Sequence, residues 1–259
     1  MEIAMLRIKI ITCFSICMML ISLFVFDDNN DKDYTVIIKS FTENGSYVEY
    51  PQVSGLKDKK KQACINTILK EQVYVGAKDS SYETFVDFSN PEYVYNFKIG
   101  VGFISNDVAS FLYSFNAYGF FDPDVKVMQN NDRSYGVTID MQTGKKIELP
   151  EFMVVDERLI NSTDGSNLDT DYNSIVRGDY HKFKDLFWVY TTEEEKDYFH
   201  SYTPQEAMNR LENTKEETIW YIDENKNIVF FNLDDYMEIP YNELAEIIYP
   251  QYLESLSKK

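Results

Sequence analysis

From residue 34 onward the chain alternates short apolar runs with polar turns, a pattern typical of β-strands interrupted by helices. Residues 34–41 and 46–53 are rich in β-branched and aromatic side chains and flank Asn44-Gly45. An Asn-Gly pair between two such runs predicts a β-hairpin.

The next apolar positions recur at helical spacing after Gly55. The apolar stripe consists of Cys64, Ile65, Ile68 and Leu69. The first turns carry Lys57, Lys59, Lys60 and Lys61. This pattern predicts a helix that docks its stripe, including Cys64, on a sheet. The lysines are interpreted as a solvated face, with a dedicated binding patch as the alternative.

Later segments continue the mixture of strands and helices. Long strands are predicted at 94–105 and 107–121, and shorter ones at 137–141, 147–149, 219–223, 228–233 and 236–240. Helices are predicted near Pro150, at 203–214, and from 241 onward, with 156–203 placed only loosely as helical. Because no regular βαβ rhythm appears, the expected fold is α+β, with mixed, mainly antiparallel sheets packed against a few helices.

An uncharged run, Ile10–Phe26, precedes this part of the chain. Its length corresponds to roughly 26 Å of helix, close to a bilayer core. Arg7 and Lys9 before it and aspartates after it predict an N-terminal transmembrane helix with the remainder outside the cell. A cleaved signal peptide, and hence secretion, is the alternative, but the bulky end of the run favours an uncleaved anchor.

The predicted organisation therefore has five parts. They are the anchor (1–26), a polar spacer (27–33), two α+β subdomains (34–130 and 131–250) and a polar tail (251–259).

The net charge of −18 on 259 residues repels nucleic acid and disfavours peripheral binding to anionic lipids. A cationic partner suits this charge, although acidity for solubility alone is the plainer interpretation. Of three cysteines, only Cys64 lies outside the apolar run, so no disulfide framework is expected. His181 and His200 are isolated, and neither a metal site nor a cofactor is expected.

Four sequence segments resemble those of a known family. They are YPQVSGLKDKKKQACINTILKE (50–71), GVTIDMQTGKKIELPEF (136–152), IWYIDENKNIVFF (219–231) and EIPYNEL (238–244). In this order they resemble an extracytoplasmic bacterial domain family of largely unknown function. They are similar to the outer half of RsiV-type anti-sigma factors and to the non-catalytic N-terminal region of PdaC-type peptidoglycan deacetylases.

The resemblance implies an α+β binding module at the cell wall, where RsiV-type members capture lysozyme, a cationic protein. Two departures limit it. Residues 118–123 replace an Ala-His-Pro-like phrase of many relatives, and the nine residues before the apolar run are too few for a sigma-binding domain.

No catalytic motif is recognisable. The histidine pair of polysaccharide deacetylases, the G-x-S-x-G elbow, HExxH and the Walker A loop are all missing from the sequence. The expectation is therefore a non-enzyme. A wall-glycan hydrolase using carboxylates is the alternative, with Asp140 as the first acid to test, although a turn-stabilising role suits Asp140 better. Trp188 and Trp220 are interpreted as packing residues, with sugar platforms as the alternative.

A segment that mixes aromatic and acidic residues lies at the end of the second long predicted strand. Its candidate ligand-binding residues are Tyr118, Phe120, Phe121, Asp122 and Asp124. They suit a recognition loop for a basic ligand, or else the end of an aromatic strand. The sequence thus predicts a membrane-anchored, extracytoplasmic binding or sensory module for a cell-wall component or a cationic protein. Assembly with another membrane protein through the anchor is a further alternative.

Overall fold

The computed structural model describes residues 33–75, 88, 93–120, 128–162, 209, 219–232 and 235–258. The predicted anchor, spacer residues 27–32 and nearly all of 163–218 lie outside these residues. No helix in the described ranges is long and apolar enough to cross a membrane.

Nine strands and four helices are present in the described ranges. In chain order they are β1 (Thr35–Glu43), β2 (Ser46–Ser54), α1 (Lys59–Val75), β3 (Tyr93–Ile104), β4 (Val108–Phe120), β5 (Met128–Asp140), β6 (Lys145–Lys146), α2 (Leu149–Phe152), α3 (Glu157–Ile160), β7 (Ile219–Ile222), β8 (Asn227–Asn232), β9 (Asp235–Pro240) and α4 (Pro250–Ser257). The expected α+β class is confirmed.

The strands form two sheets. Strands β1 to β6 lie side by side in chain order, and β7 to β9 form a separate antiparallel sheet. All neighbours in the larger sheet are antiparallel except β2 and β3. The predicted hairpin of β1 and β2 is confirmed, and its two turn residues, Asn44 and Gly45, have φ of 46° and 86°. This left-handed backbone is the reason an Asn-Gly pair suits the turn.

Helix α1 packs on one face of the larger sheet. It buries Ile65, Leu69 and Val73, which recur every four residues, against the aromatic side chains of β3 to β5. Cys64 is exposed, so its predicted place in the core is wrong. The reason is that Cys64 precedes Ile65 and is rotated about 100° around the helix from the buried line.

Two buried tyrosines fix α1 to this face. The Tyr113 hydroxyl donates to the Leu69 carbonyl at 2.7 Å, and the Tyr135 hydroxyl donates to the Gln72 carbonyl at 2.7 Å. Each ring supplies packing area and a directional bond to the helix backbone.

Strands β2 and β3 are paired only at Tyr47 with Asn96 and at Val48 with Phe97. Beyond these two pairs, polar side chains form hydrogen bonds to the backbones of β2 and β3. Glu49 accepts from the Ile99 amide at 3.3 Å, and the Asn66 amide group bonds both the N–H and the C=O of Val53. Asn66 therefore covers the free edge of β2 from α1, as a neighbouring strand would.

The second sheet crosses the other face of the larger sheet at very short range. A Cβ at Gly102 of β3 would lie 2.2 Å from the Ile222 oxygen, and one at Gly136 of β5 would lie 2.3 Å from the Trp220 oxygen. Between them, the Ser110 hydroxyl accepts from the Ile222 amide at 2.8 Å. Only glycine or a small polar residue permits this backbone contact.

A second core lies around β7 to β9 and helices α2 to α4. Its buried side chains include Phe152, Trp220, Phe230, Leu244 and Leu256. The predicted packing role of Trp220 is confirmed, since its ring lies 4.6 Å from that of Phe152.

Three predicted boundaries need correction. The strand expected at 147–149 is β6, two residues earlier, because Glu148 and Glu151 form a capping box that starts α2 at Leu149. Residues 241–248 form turns, and the last helix begins at Pro250, which suits a first helical position. Helix α4 thus occupies most of the predicted polar tail (251–259) and buries Tyr252 and Leu256.

The predicted boundary between subdomains 34–130 and 131–250 falls inside β5. Strand β5 pairs with β4 along its whole length, from Met128 opposite Phe120 to Asp140 opposite Val108. The two segments therefore share one sheet.

Gly136→Ala should destabilise the fold by about 1–3 kcal/mol, because the new methyl group meets the β7 backbone. Urea unfolding of the full chain measures the change. Gly100→Ala is the matched control on β3, where the added Cβ meets the Leu112 side chain at 3.3 Å instead of backbone. Equal stability of the Gly136 variant and the parent would contradict the close approach of β7.

Stability should fall as the pH rises above about 10. Burial raises the pKa of Tyr113 and Tyr135, and burial together with nearby acids raises that of Tyr221 to about 12. The unfolded chain therefore loses tyrosine protons that the folded chain keeps, which costs about 1.4 kcal/mol per pH unit for each such tyrosine.

Tyr135→Phe should make the free energy of unfolding fall less steeply with pH, because one buried phenol is removed. Urea unfolding at several pH values above about 10 measures this slope. Phe97→Leu, a change at a buried ring without a hydroxyl, is the control and should leave the slope unchanged. A slope unaffected by Tyr135→Phe would show that the buried phenol is not what loses stability.

Candidate functional site

The larger sheet has two chemically different ends. The distal end carries the β1–β2 turn together with the start of β3 and the end of β4, because Tyr93 pairs with Gly119 and a Cβ at Gly45 would lie 3.7 Å from Val94. The opposite, proximal end carries Asp33 and the start of α1. The candidate site lies toward the distal end.

An aromatic cluster joins β1, β2 and the last turn of α1 toward the distal end. We define it as Phe41, Tyr50, Tyr74 and Phe88. The Phe41 ring lies 6.0 Å from Tyr50, 6.5 Å from Tyr74 and 6.1 Å from Phe88. Tyr74 is 41% exposed and Phe41 is half-buried, whereas Tyr50 and Phe88 are buried. The cluster therefore has a buried base and an accessible rim.

An ammonium group already lies on this cluster. Lys70, one turn before Tyr74, places its Nζ 5.9 Å from the centre of the Phe41 ring and 5.8 Å from that of Tyr50. Aromatic faces attract cations through the ring quadrupole within about 6 Å. The rings are therefore arranged to accept a cationic side chain.

The electrostatics of the rim are set by Glu43, which is exposed at the end of β1. Burial first, and then the charges of Glu43 and Tyr50, raise the pKa of Tyr74. Like any tyrosine phenol at neutral pH, it can donate a hydrogen bond. A carboxylate, a phenol and ring faces together suit a lysine or arginine side chain, or the face of a sugar.

The predicted recognition residues are located only in part. Tyr118 and Phe120 are in the last residues of β4, at the distal end, and Phe121, Asp122 and Asp124 lie outside the described residues. The aromatic cluster was not predicted. The spacing of Lys70 and Tyr74, four residues apart on one helix, was the available signal, since such pairs are neighbours on a helix surface.

Asp140, the acid considered for hydrolysis, stabilises the β5–β6 turn. Its Oδ1 accepts from the amides of Gln142 and Thr143 at 2.7 and 2.9 Å. This is the turn-stabilising role that the sequence favoured. In the described ranges, no group of three or more His, Cys, Asp or Glu side chains is placed to hold a metal ion. Trp188, the other candidate sugar platform, lies outside those ranges.

No protein-family model and no curated protein matches the chain. Solved structures that are similar to it include two DUF3298 family proteins. A member of the DUF3298 family from Bacteroides fragilis covers 92% of this chain and 98% of its own, at 12% identity and a TM-score of 0.44. A DUF3298 family protein from Pseudomonas aeruginosa covers 86% and 96%, at 8% identity and a TM-score of 0.39.

Both structures are described as members of a domain-of-unknown-function family. Neither description names an RsiV-type or PdaC-type protein, and that finer resemblance stays a prediction.

Glu43→Gln should lower the pKa of Tyr74, because it removes a negative charge that disfavours the phenolate. A titration of the Tyr74 ring carbon by NMR in the full chain measures this shift. Glu224→Gln, an exposed change in the β7–β8 turn, is the matched control and should leave Tyr74 unchanged. An unaltered Tyr74 titration in the Glu43 variant would show that the two groups do not interact.

Proposed function

We propose that this protein is a membrane-anchored, extracytoplasmic binding or sensory module that recognises a cationic protein or a cell-wall component without catalysis. The observation that carries the proposal is the aromatic cluster, where Lys70 already lies over two rings beside the exposed Glu43. An incoming lysine or arginine would displace the Lys70 ammonium from these ring faces and would then find the rings together with the Glu43 carboxylate.

The overall charge supports a cationic protein as the ligand. A net charge of −18 raises the local concentration of cations and speeds their encounter with the surface. The aromatic rim would then supply short-range selectivity, since ring faces distinguish an organic cation from a simple salt ion. The resemblance to RsiV-type proteins points to the same class of ligand, with lysozyme as the first protein to test.

The position of the cluster supports an outward-facing role. A span at Ile10–Phe26 would hold Asp33, the first described residue, nearest the membrane. Phe41 lies eight residues beyond Asp33 along the extended β1 segment, which corresponds to about 26 Å. The aromatic rim would therefore be presented away from the lipid and toward the wall.

We do not advance the hydrolase alternative. Asp140, its named carboxylate, has one oxygen engaged by two backbone amides, and no described feature favours a carboxylate pair for glycoside cleavage.

The full chain should bind hen lysozyme with an affinity that falls as salt is raised, because the attraction is largely electrostatic. Tyr74→Ala combined with Glu43→Gln should weaken binding by about tenfold, close to 1.4 kcal/mol. Isothermal titration at low and high salt, with the chain in lipid nanodiscs, measures both effects.

Tyr236→Ala combined with Glu224→Gln is the matched control, since it removes an exposed tyrosine and one acid far from the cluster along the chain. Binding equally weakened by both double variants would move the site away from the aromatic cluster. If lysozyme, cationic peptides and purified wall all fail to bind in a salt-sensitive manner, the proposed function is wrong.

A further inference from the structure

The proximal end carries a concentration of positive charge that the proposed ligand site does not use. We define the lysine patch as Lys57, Lys59, Lys60 and Lys61. The start of α1 and strand β6 meet here. The Lys61 ammonium donates to the Gln142 carbonyl at 3.2 Å, and a Cβ at Gly144 would lie 2.9 Å from Lys61 Cγ.

Two acids next to the patch, Asp58 and Asp140, accept hydrogen bonds from backbone amides, which orient the carboxylates without removing their charge. Asp58 Oδ1 accepts from the Lys60 and Lys61 amides at 2.9 and 3.0 Å, and these bonds together with the Lys61 charge lower the pKa of this exposed carboxyl. Asp140 is held by the β5–β6 turn. In the described part of the chain, Lys57, Lys59 and Lys60 form no ion pair within 4.0 Å. Their ammonium groups are therefore available to an external anion.

The patch adjoins the point where the described chain begins. The Asp33 amide donates to Asn106 Oδ1 at 3.0 Å, and the Tyr34 hydroxyl donates to the Ser105 carbonyl at 2.6 Å. A Cβ at Gly55, two residues before Lys57, would lie 3.4 Å from Tyr34 Cα. Asp33 and the start of α1 are consequently fixed side by side.

Chain length limits how far the patch can lie from an anchor. Seven residues, 27–33, follow Phe26, and seven residues span at most about 25 Å when fully extended. Any headgroup layer around the anchor is thus within reach of the lysines.

We propose that the lysine patch docks on the anionic lipid headgroups of the membrane that holds the anchor. This inference rests on the proposed anchored function. The phosphate groups of the lipid are the complementary anions, and lysine is a strong point-charge partner for phosphate.

The net charge of −18 does not oppose this local contact as strongly as it opposes free peripheral binding. The Debye length at physiological ionic strength is about 8 Å, whereas the strands separate the two ends of the sheet by about 40 Å. Acids toward the distal end are therefore screened from the membrane surface. The anchor also supplies a high local concentration, so the patch has only to orient the domain.

Cys64 offers a reporter for this contact, because it is exposed on α1 three residues after Lys61. The full chain with Cys13→Ser and Cys17→Ser, labelled at Cys64 with a fluorophore, would be placed in nanodiscs that contain headgroup-quencher lipid. We expect stronger quenching in discs with phosphatidylglycerol than in discs of phosphatidylcholine alone. Raised salt should remove the difference.

Lys59→Gln with Lys60→Gln should reduce the lipid-dependent quenching at least twofold. Lys39→Gln with Lys98→Gln is the matched control, with the same change in net charge away from the patch, and should leave the quenching as in the parent. Quenching that is independent of lipid charge, or equally reduced by both double variants, overturns the inference.

The remaining outcomes separate this inference from the proposed function. One result is quenching that is the same in both lipids and yet changes in a variant that combines Asp27→Asn, Asp28→Asn and Asp31→Asn. In that outcome the chain's own acidic spacer occupies the patch, and lipid docking is wrong. A chain that does not enter nanodiscs overturns the anchor and the docking together. Lysozyme binding with lipid-independent quenching overturns only the docking.

Discussion

The contact between β7 and the backbone of the larger sheet is the constraint on which the rest of the fold depends. Gly102, Ser110 and Gly136 leave room for the Trp220 and Ile222 carbonyls at distances that any larger side chain would prevent. One face of β3 to β5 therefore stays small and polar at this crossing. The large aromatic residues of these strands are correspondingly placed on the opposite face, where they form the core under α1.

This division explains how α1 brings two sites to opposite ends of the molecule. The buried tyrosine hydroxyls and Asn66 hold α1 along the sheet, so its first turn lies by Asp33 and its last turn lies by Phe41. The same helix thus presents lysines at the proximal end and Tyr74 toward the distal end. The proposed lipid contact and the proposed ligand site would thus lie on different parts of one helix. Along α1, about 20 Å separates Lys61 from Tyr74, which is between two and three screening lengths at physiological ionic strength.

Local chemistry was enough to predict much of the fold. The hairpins β1–β2 and β7–β8, the long strands β3 and β4, and helix α1 were all expected, because Asn-Gly turns and apolar periodicity act over a few residues. Cys64 was misplaced because a four-residue stripe does not resolve which line of a helix faces the sheet. The subdomain boundary within β5 could not be recognised, since pairing with β4 is a long-range contact. The aromatic cluster was missed for the same reason, as its rings come from separate segments.

By itself the sequence determined the α+β class, the turn at Asn44-Gly45, the role of Asp140 beside its turn, and the net charge of −18. These properties follow from the backbone preferences of single residues, the spacing of apolar residues and the overall composition. None of them depends on contacts between residues far apart in the chain. Only the tertiary structure decided that Phe41 and Tyr74 share a surface with Lys70, and that Lys61 of α1 bonds the Gln142 carbonyl of the β5–β6 turn. Such neighbours are fixed by how the sheet, the helix and β7 pack together, and that packing depends on contacts between residues far apart in the chain.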